Sequence, residues 1–235
     1  MDWYQQIRER VIPATGEVAV NAPLLVWVLL IAVVALWLPP VWAVVRLAVT
    51  LVHELGHAVV GVLVGRKFTG FVLRGDMSGQ AVTRGRPTGP GRVASTWAGY
   101  PAPAVVGGAM VFLAARGWAA PVITVVIAIL LFALVRVRSA LTAVVMAVAL
   151  GGSVALWWWR DDVVQLHVLI GVGIVLVVGA WRHLAAVRRD RTGGSDPAVL
   201  ASLTHVPRLV WNLSFALVCA LATWVVGVQL LAVRR

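Results

Sequence analysis

The sequence predicts an all-α polytopic membrane protein with about seven transmembrane helices, or six, and a short β-hairpin between the second and third spans. Three observations predict it. Of the 235 residues, 61% are hydrophobic and only 12% charged, where a soluble domain carries about 25%. The apolar residues come in runs long enough to cross a hydrocarbon core of about 30 Å. The arginines gather in short stretches between those runs, the pattern of loops that set membrane topology. The net charge of +11 is therefore read as topogenic. With no basic face and no recognition motif, nucleic acid is excluded as a partner and the lipid bilayer is the expected surrounding.

Residues 1–19 form a polar N-terminal segment with Arg8, Glu9, Arg10 and Glu17, and no cleavable signal peptide is expected. Trp3, Tyr4 and Ile7 suggest a short helix lying in the interface. Seven apolar runs follow, at about 20–38, 41–65, 93–115, 118–135, 139–159, 163–181 and 208–233. Pro39-Pro40 leaves only a tight turn between the first two. Residues 66–92 differ in texture. Two β-prone runs, Phe68 to Arg74 and Gly79 to Arg84, flank a Gly75-Asp76-Met77-Ser78 turn, which predicts a hairpin followed by a Gly/Pro loop. Residues 183–207 read as a cytoplasmic linker carrying a short helix that Asp196-Pro197 opens and Pro207 ends. The chain 1–235 is expected to form one integral membrane domain.

Arg66, Lys67, Arg74, Arg84, Arg86, Arg92, Arg136, Arg138, Arg182, Arg188, Arg189 and Arg191 fall on one side if the N-terminus, with Arg8 and Arg10, is cytoplasmic. Arg116 and the Trp157 to Asp162 turn fall on the other side, where Arg234-Arg235 disagrees with the scheme. The near-absence of lysine (Lys67 alone) beside abundant Ala, Val and Arg suggests a high-GC bacterial genome, and so a bacterial cell membrane. The one cysteine, Cys219, can form neither an internal disulfide nor a Cys-based zinc site.

The second span carries His53-Glu54-Leu55-Gly56-His57. In a helix, His53 and His57 lie one turn apart on one face, so both imidazoles can reach one Zn²⁺. Glu54 is offset by about 100°, placed to act on a water rather than to ligate the metal. This is the only acidic and imidazole cluster in any span, and charged groups in spans are costly unless paired or functional. The bland alternative is that the two histidines and Glu54 satisfy one another. Three groups in the span are the minimum for metal-assisted hydrolysis of a peptide bond.

A zinc hydrolase needs a third ligand. Asp76 sits at the hairpin tip, Asp161 and Asp162 lie on the far side, and His167 and His183 lie near opposite ends of the sixth run. Asp196 and His205 lie on the side of the motif. Asp before Pro is equally an ordinary helix N-cap, so the residues alone leave Asp196 between ligand and cap. If Asp196 starts a helix at the surface it stands about 10 Å above His57, which points to a short or re-entrant helix apart from the last span. Gly99-Tyr100-Pro101-Ala102-Pro103 in the third run predicts a bend, either a plain kink or a wall beside the metal.

Together these features resemble the site-2 protease family of intramembrane zinc metallopeptidases. The resemblance rests on His53 to Ala58 in a span, the hairpin of Phe68 to Arg84, and Ala98-Gly99-Tyr100-Pro101 in the next span. Ser195-Asp196-Pro197-Ala198-Val199-Leu200, with Leu203-Thr204 and Val210-Trp211, is similar to the Asp-bearing segment of a compact bacterial branch without a PDZ domain. The resemblance implies an intramembrane zinc endopeptidase with His53, His57 and Asp196 as ligands and Glu54 as general base. It implies a transmembrane substrate, such as a single-span regulator, cut near the cytoplasmic face. It also implies substrate contact through the hairpin, by edge pairing along Phe71, Val72 and Leu73, and at Gly99, Tyr100 and Pro101. This sequence departs from the family pattern at the third ligand, where Ser195 and Pro197 flank Asp196 in place of the usual Leu-Asp-Gly. The competing expectations are a non-catalytic relative acting as scaffold or chaperone, and a small metal or proton transporter.

Overall fold

The computed structural model describes residues 3–16, 18–189 and 193–232; Arg191 and Arg234-Arg235, which entered the topology argument, lie outside them. The helices are α1 (Trp3–Val11), α2 (Ala22–Trp37), α3 (Pro39–Leu63), α4 (Pro90–Trp97), α5 (Pro101–Ala114), α6 (Ala119–Leu134), α7 (Ala140–Trp158), α8 (Asp162–Val187), α9 (Asp196–Thr204) and α10 (Arg208–Ala232). One antiparallel hairpin, β1 (Lys67–Leu73) and β2 (Gly79–Arg84), follows α3. Each of the seven apolar runs is helical. Among the described residues four helices, α3, α7, α8 and α10, are long and apolar enough to cross a bilayer, and the bent pair α4 and α5 makes a fifth if it counts as one span. The runs that become α2 and α6 form helices of only 16 residues each, about 24 Å at helical rise and shorter than a typical span. By length and composition the described residues therefore give four to five candidate spans, and the expected count of about seven, or six, is not confirmed.

Helix α8 is the central element. Val111 of α5, Leu166 and Ile170 of α8, and Cys219 of α10 share the main buried cluster. A β-carbon on Gly107 would stand 2.5 Å from the Gly173 carbonyl oxygen, so glycine is what lets α5 and α8 touch backbone to backbone. Close approach at small residues replaces the hydrophobic drive that lipid cannot supply.

A second cluster seats the hairpin. Phe71 and Leu73 are buried with Leu47 and Leu51 of α3, Leu130 and Ala133 of α6, and Met146 of α7. The segment between α6 and α7 lies along the outer edge of β1. Phe71 N–H donates to the Arg136 carbonyl at 3.2 Å, and Leu73 N–H donates to Thr142 Oγ1 at 2.7 Å. Arg138 reaches the Thr69 carbonyl, and Ser139 Oγ donates to Leu73 O at 3.2 Å. The edge pairing expected of Phe71, Val72 and Leu73 is thus already satisfied from within the chain, and the open edge of the hairpin is that of β2.

The N-terminal placement also differs from the expectation. Arg10 donates to the Trp158 carbonyl at 3.1 Å and lies 5.0 Å over the Trp158 ring. Arg160 reaches the Glu9 and Ile12 carbonyls, and Ala14 N–H donates to Gly117 O. Helix α2 begins beside His167, near the start of α8, and ends where Arg182 donates to the Leu36 carbonyl. It therefore runs parallel to α8. The N-terminal segment lies with the Trp157 to Asp162 turn, at the opposite end of the molecule from the hairpin. The cause is local: Arg8 and Arg10 sit on a short helix, and aromatic faces and free carbonyls satisfy Arg10 where charge counting alone placed it on the other side.

Candidate metal centre

Helix α3 presents His53, Glu54 and His57 in mid-course. The imidazoles are perpendicular, with ring centroids 4.7 Å apart, and their Nε2 atoms are 3.1 Å apart. Asp196, the first residue of α9, brings Oδ2 to 3.3 Å from His53 Nε2 and 3.2 Å from His57 Nε2. Ser195 is the N-cap residue of α9, which frees the Asp196 side chain from capping its own helix. The depth problem is solved as the prolines suggested. Helix α9 is short, ends at His205 in the left-handed conformation (φ 59°), and is separate from α10. Leu200 is buried against Leu184 and Phe215, which fixes α9 over the site.

The three candidate ligand atoms make a nearly equilateral triangle. Ligands about 2.0–2.1 Å from a tetrahedral zinc stand about 3.3 Å apart, so the spacing suits that ion. The Asp196 oxygen lies within bonding distance of both rings yet has no hydrogen bond of normal geometry. The two nitrogens lie within hydrogen-bond distance of each other, and the Asp196 oxygen closes the triangle without a hydrogen bond of its own. Burial works to raise the Asp196 carboxyl, but the adjacent His57 and His53 rings hold it below the usual carboxylate range. Among the described residues, His53, His57 and Asp196 form the one cluster able to hold a metal ion.

Around this triangle the supporting groups are specific. His57 donates through Nδ1 to the Ser95 carbonyl at 2.7 Å, while Ser95 Oγ donates back to the His57 carbonyl at 3.0 Å. Such a partner fixes the tautomer that leaves Nε2 free to ligate. Glu54 is 4% exposed and accepts a hydrogen bond from Ala81 N–H of β2 at 2.5 Å. A β-carbon on Gly79 would stand 2.5 Å from Glu54 Oε1, so β2 lies directly on the carboxylate. Gly56 admits the α4–α5 bend, since its β-carbon would meet Ala102 and the Ala98 carbonyl. The bend between α4 and α5 is 61°. It puts Gly99 where any side chain would overlap the His57 and His53 rings. Tyr100 stands edge-on to His53 with centroids 4.8 Å apart and stacks on Phe215.

A cavity of about 480 Å³ opens above the triangle, lined by His53, His57, Asp196, Glu54, Tyr100 and Arg92 with Gly79, Gln80, Ala81 and Thr83 of β2. Pro101 is buried at the start of α5. The other acids and histidines lie elsewhere. Asp76 accepts from Ser78 N–H and Oγ in the hairpin turn. Asp161 caps α8, and Asp162 pairs with Arg160. His167 is buried between the Val163 and Asn21 carbonyls. His205 terminates α9. His183, by contrast, lies close to His53, with centroids 6.4 Å apart. Sequence reasoning missed Ser95, Gly79 and Ala81. The first was a polar residue in an apolar run with no motif around it, and the others act through backbone that no side-chain pattern reports.

A family model described as Peptidase M50B-like matches residues 26–226. No curated protein and no solved structure matches the chain.

Proposed function

Since the chain belongs to the M50B-like peptidase family, within the site-2 proteases, we propose that it is an intramembrane zinc endopeptidase cutting membrane-protein segments near the cytoplasmic face. The observation that carries this reading is the convergence of His53 Nε2, His57 Nε2 and Asp196 Oδ2 beside a buried Glu54. Zinc held by those three atoms supplies a Lewis acid and makes water acidic enough to attack near neutral pH. Glu54 takes the proton of the attacking water on its carboxylate and returns it to the leaving amine, so the acid and base roles fall to one residue. Ser95 holds His57 in the ligating tautomer, and Tyr100 walls the His53 ring.

The open edge of β2 is the proposed substrate seat. In an antiparallel ladder, opposite residues alternately exchange both hydrogen bonds or none. Phe71 and Ala81 are opposite, and both send N–H away from the partner strand. Gly79 and Ala81 therefore present backbone groups outward, over Glu54. A substrate unwound into a strand pairs there, taking up the groups that now face the carboxylate. The end of the molecule holding this site carries Arg66, Lys67, Arg74, Arg84, Arg86, Arg92, Arg136 and Arg138, which supports a cytoplasmic placement.

The test is elemental analysis with a cleavage assay on single-span membrane substrates. Wild type should hold about one zinc per chain, lost in Asp196→Ala and kept in His205→Ala. Glu54→Gln should keep zinc and lose cleavage by roughly 10²-fold or more. Full activity in Glu54→Gln would end the base assignment, and a wild type that binds zinc but cleaves nothing would favour the non-catalytic relative.

A further inference from the structure

We propose that His183 is a positioning residue for the metal centre, holding His53 through its distal ring nitrogen; this rests on the reading that His53 ligates zinc. A histidine that ligates through one nitrogen presents the other as an N–H donor, and that donor is almost always bound by a carboxylate, carbonyl or water. His57 has such a partner in the Ser95 carbonyl. His53 does not. Its Nδ1 is buried without a hydrogen-bond partner among the described residues.

His183 of α8 has the matching defect, with a buried Nε2 that no group among the described residues satisfies. Two orphaned ring nitrogens thus lie on neighbouring imidazoles whose centroids are 6.4 Å apart and whose planes are 68° apart. Each orphan costs on the order of 1–3 kcal/mol if left unpaired, and two in one place are not expected by accident in a helical interior. The remaining charged groups facing His183 are Arg46 and Arg182. Guanidiniums donate and do not accept, and Arg182 is already committed to the Leu36 carbonyl and the Trp42 ring. Neither arginine can take the His53 proton. His183 Nε2 is an acceptor of the right kind. The rings are too far apart for a direct bond, which needs nitrogens about 3 Å apart, but close enough for one water to accept from His53 Nδ1–H and donate to His183 Nε2. His183 thereby does for His53 what Ser95 does for His57. It also ties the metal centre on α3 to the central helix α8.

The test is the zinc dissociation constant, measured by chelator competition on the purified full chain in detergent, with thermal unfolding of the zinc-free protein alongside. His183→Leu keeps the volume and removes the polar nitrogen. His183→Gln keeps a polar atom near Nε2. Zinc should bind roughly 10–100-fold more weakly to His183→Leu and within a few-fold of wild type in His183→Gln, while zinc-free unfolding of the Leu variant is unchanged or raised. Wild-type affinity in His183→Leu overturns the proposal while leaving the metal centre standing. So does an equal loss in both variants with lowered zinc-free stability, which would show a packing role. A wild type that binds no zinc overturns both this proposal and the metal-centre reading.

Discussion

At the scale of single residues, two glycines separate the proposed metal binding from the proposed proton transfer. Gly99 faces the two ligand imidazoles with no room for a β-carbon. Gly99→Ala should therefore weaken zinc by about tenfold or more while far-UV circular dichroism stays that of the wild type. Wild-type zinc affinity would show that the α4–α5 bend yields to the methyl group. Gly79 faces Glu54 instead. Gly79→Val should hold a full complement of zinc yet lose roughly 10²-fold in cleavage rate, because its side chain displaces Glu54, the proposed general base. An active Gly79→Val would remove β2 from any account of how Glu54 is placed.

At the scale of elements, the hairpin has one closed and one open edge, and the two predict different failures. On the closed edge, Thr142 is fully buried and accepts from Leu73 N–H. Thr142→Val leaves that donor unpaired and should lower stability by about 1–3 kcal/mol, read as a lower unfolding midpoint. On the open edge, Ala81 N–H points away from β1. Ala81→Pro removes that donor, and with it the hydrogen bond Glu54 accepts, without removing a ladder bond. It should keep zinc and lose cleavage, whereas a variant that still cleaves would place the substrate elsewhere. The sequence shows a hairpin here because Gly75 to Ser78 separates two β-prone runs. Which edge is free is not legible in it. That depends on Arg136 to Thr142, about 65 residues further on in the sequence, packing against β1.

At the scale of the whole molecule, the arrangement of ends can be checked directly. In a Cys219→Ala background, Asp76→Cys and Gln5→Cys should react with a membrane-impermeant thiol reagent from opposite sides of the bilayer. Labelling of both from one side would restore the arrangement that charge counting predicted. The site was legible where chemistry follows local spacing: the His53 to His57 interval defines a shared face in any helix. It was half-legible at Asp196, where Asp-Pro fits ligand and cap alike and only the depth of α9 decides. It was illegible at Ser95, Gly79 and Ala81, whose contacts come from tertiary neighbours. The span count is open for a related reason, since apolar composition does not reveal that α2 and α6 stop at 16 residues.

The placement of Asp196 on a short helix of its own has a mechanical corollary. His53 and His57 belong to the first third of the chain and Asp196 to its last fifth, so a bound ion ties off a very long loop. A tie of that kind acts as a reversible cross-link. In the chain-entropy picture, closing a loop longer than a hundred residues is worth on the order of 4–5 kcal/mol, and binding to the native state alone adds to it. Stripping the ion with a chelator should then do more than silence the centre. It should loosen the stretch around α9 first, opening the segment near Gly193 and Gly194 to added protease while the α5–α8 core still resists. The ion would be at once the reagent and the clasp of the fold.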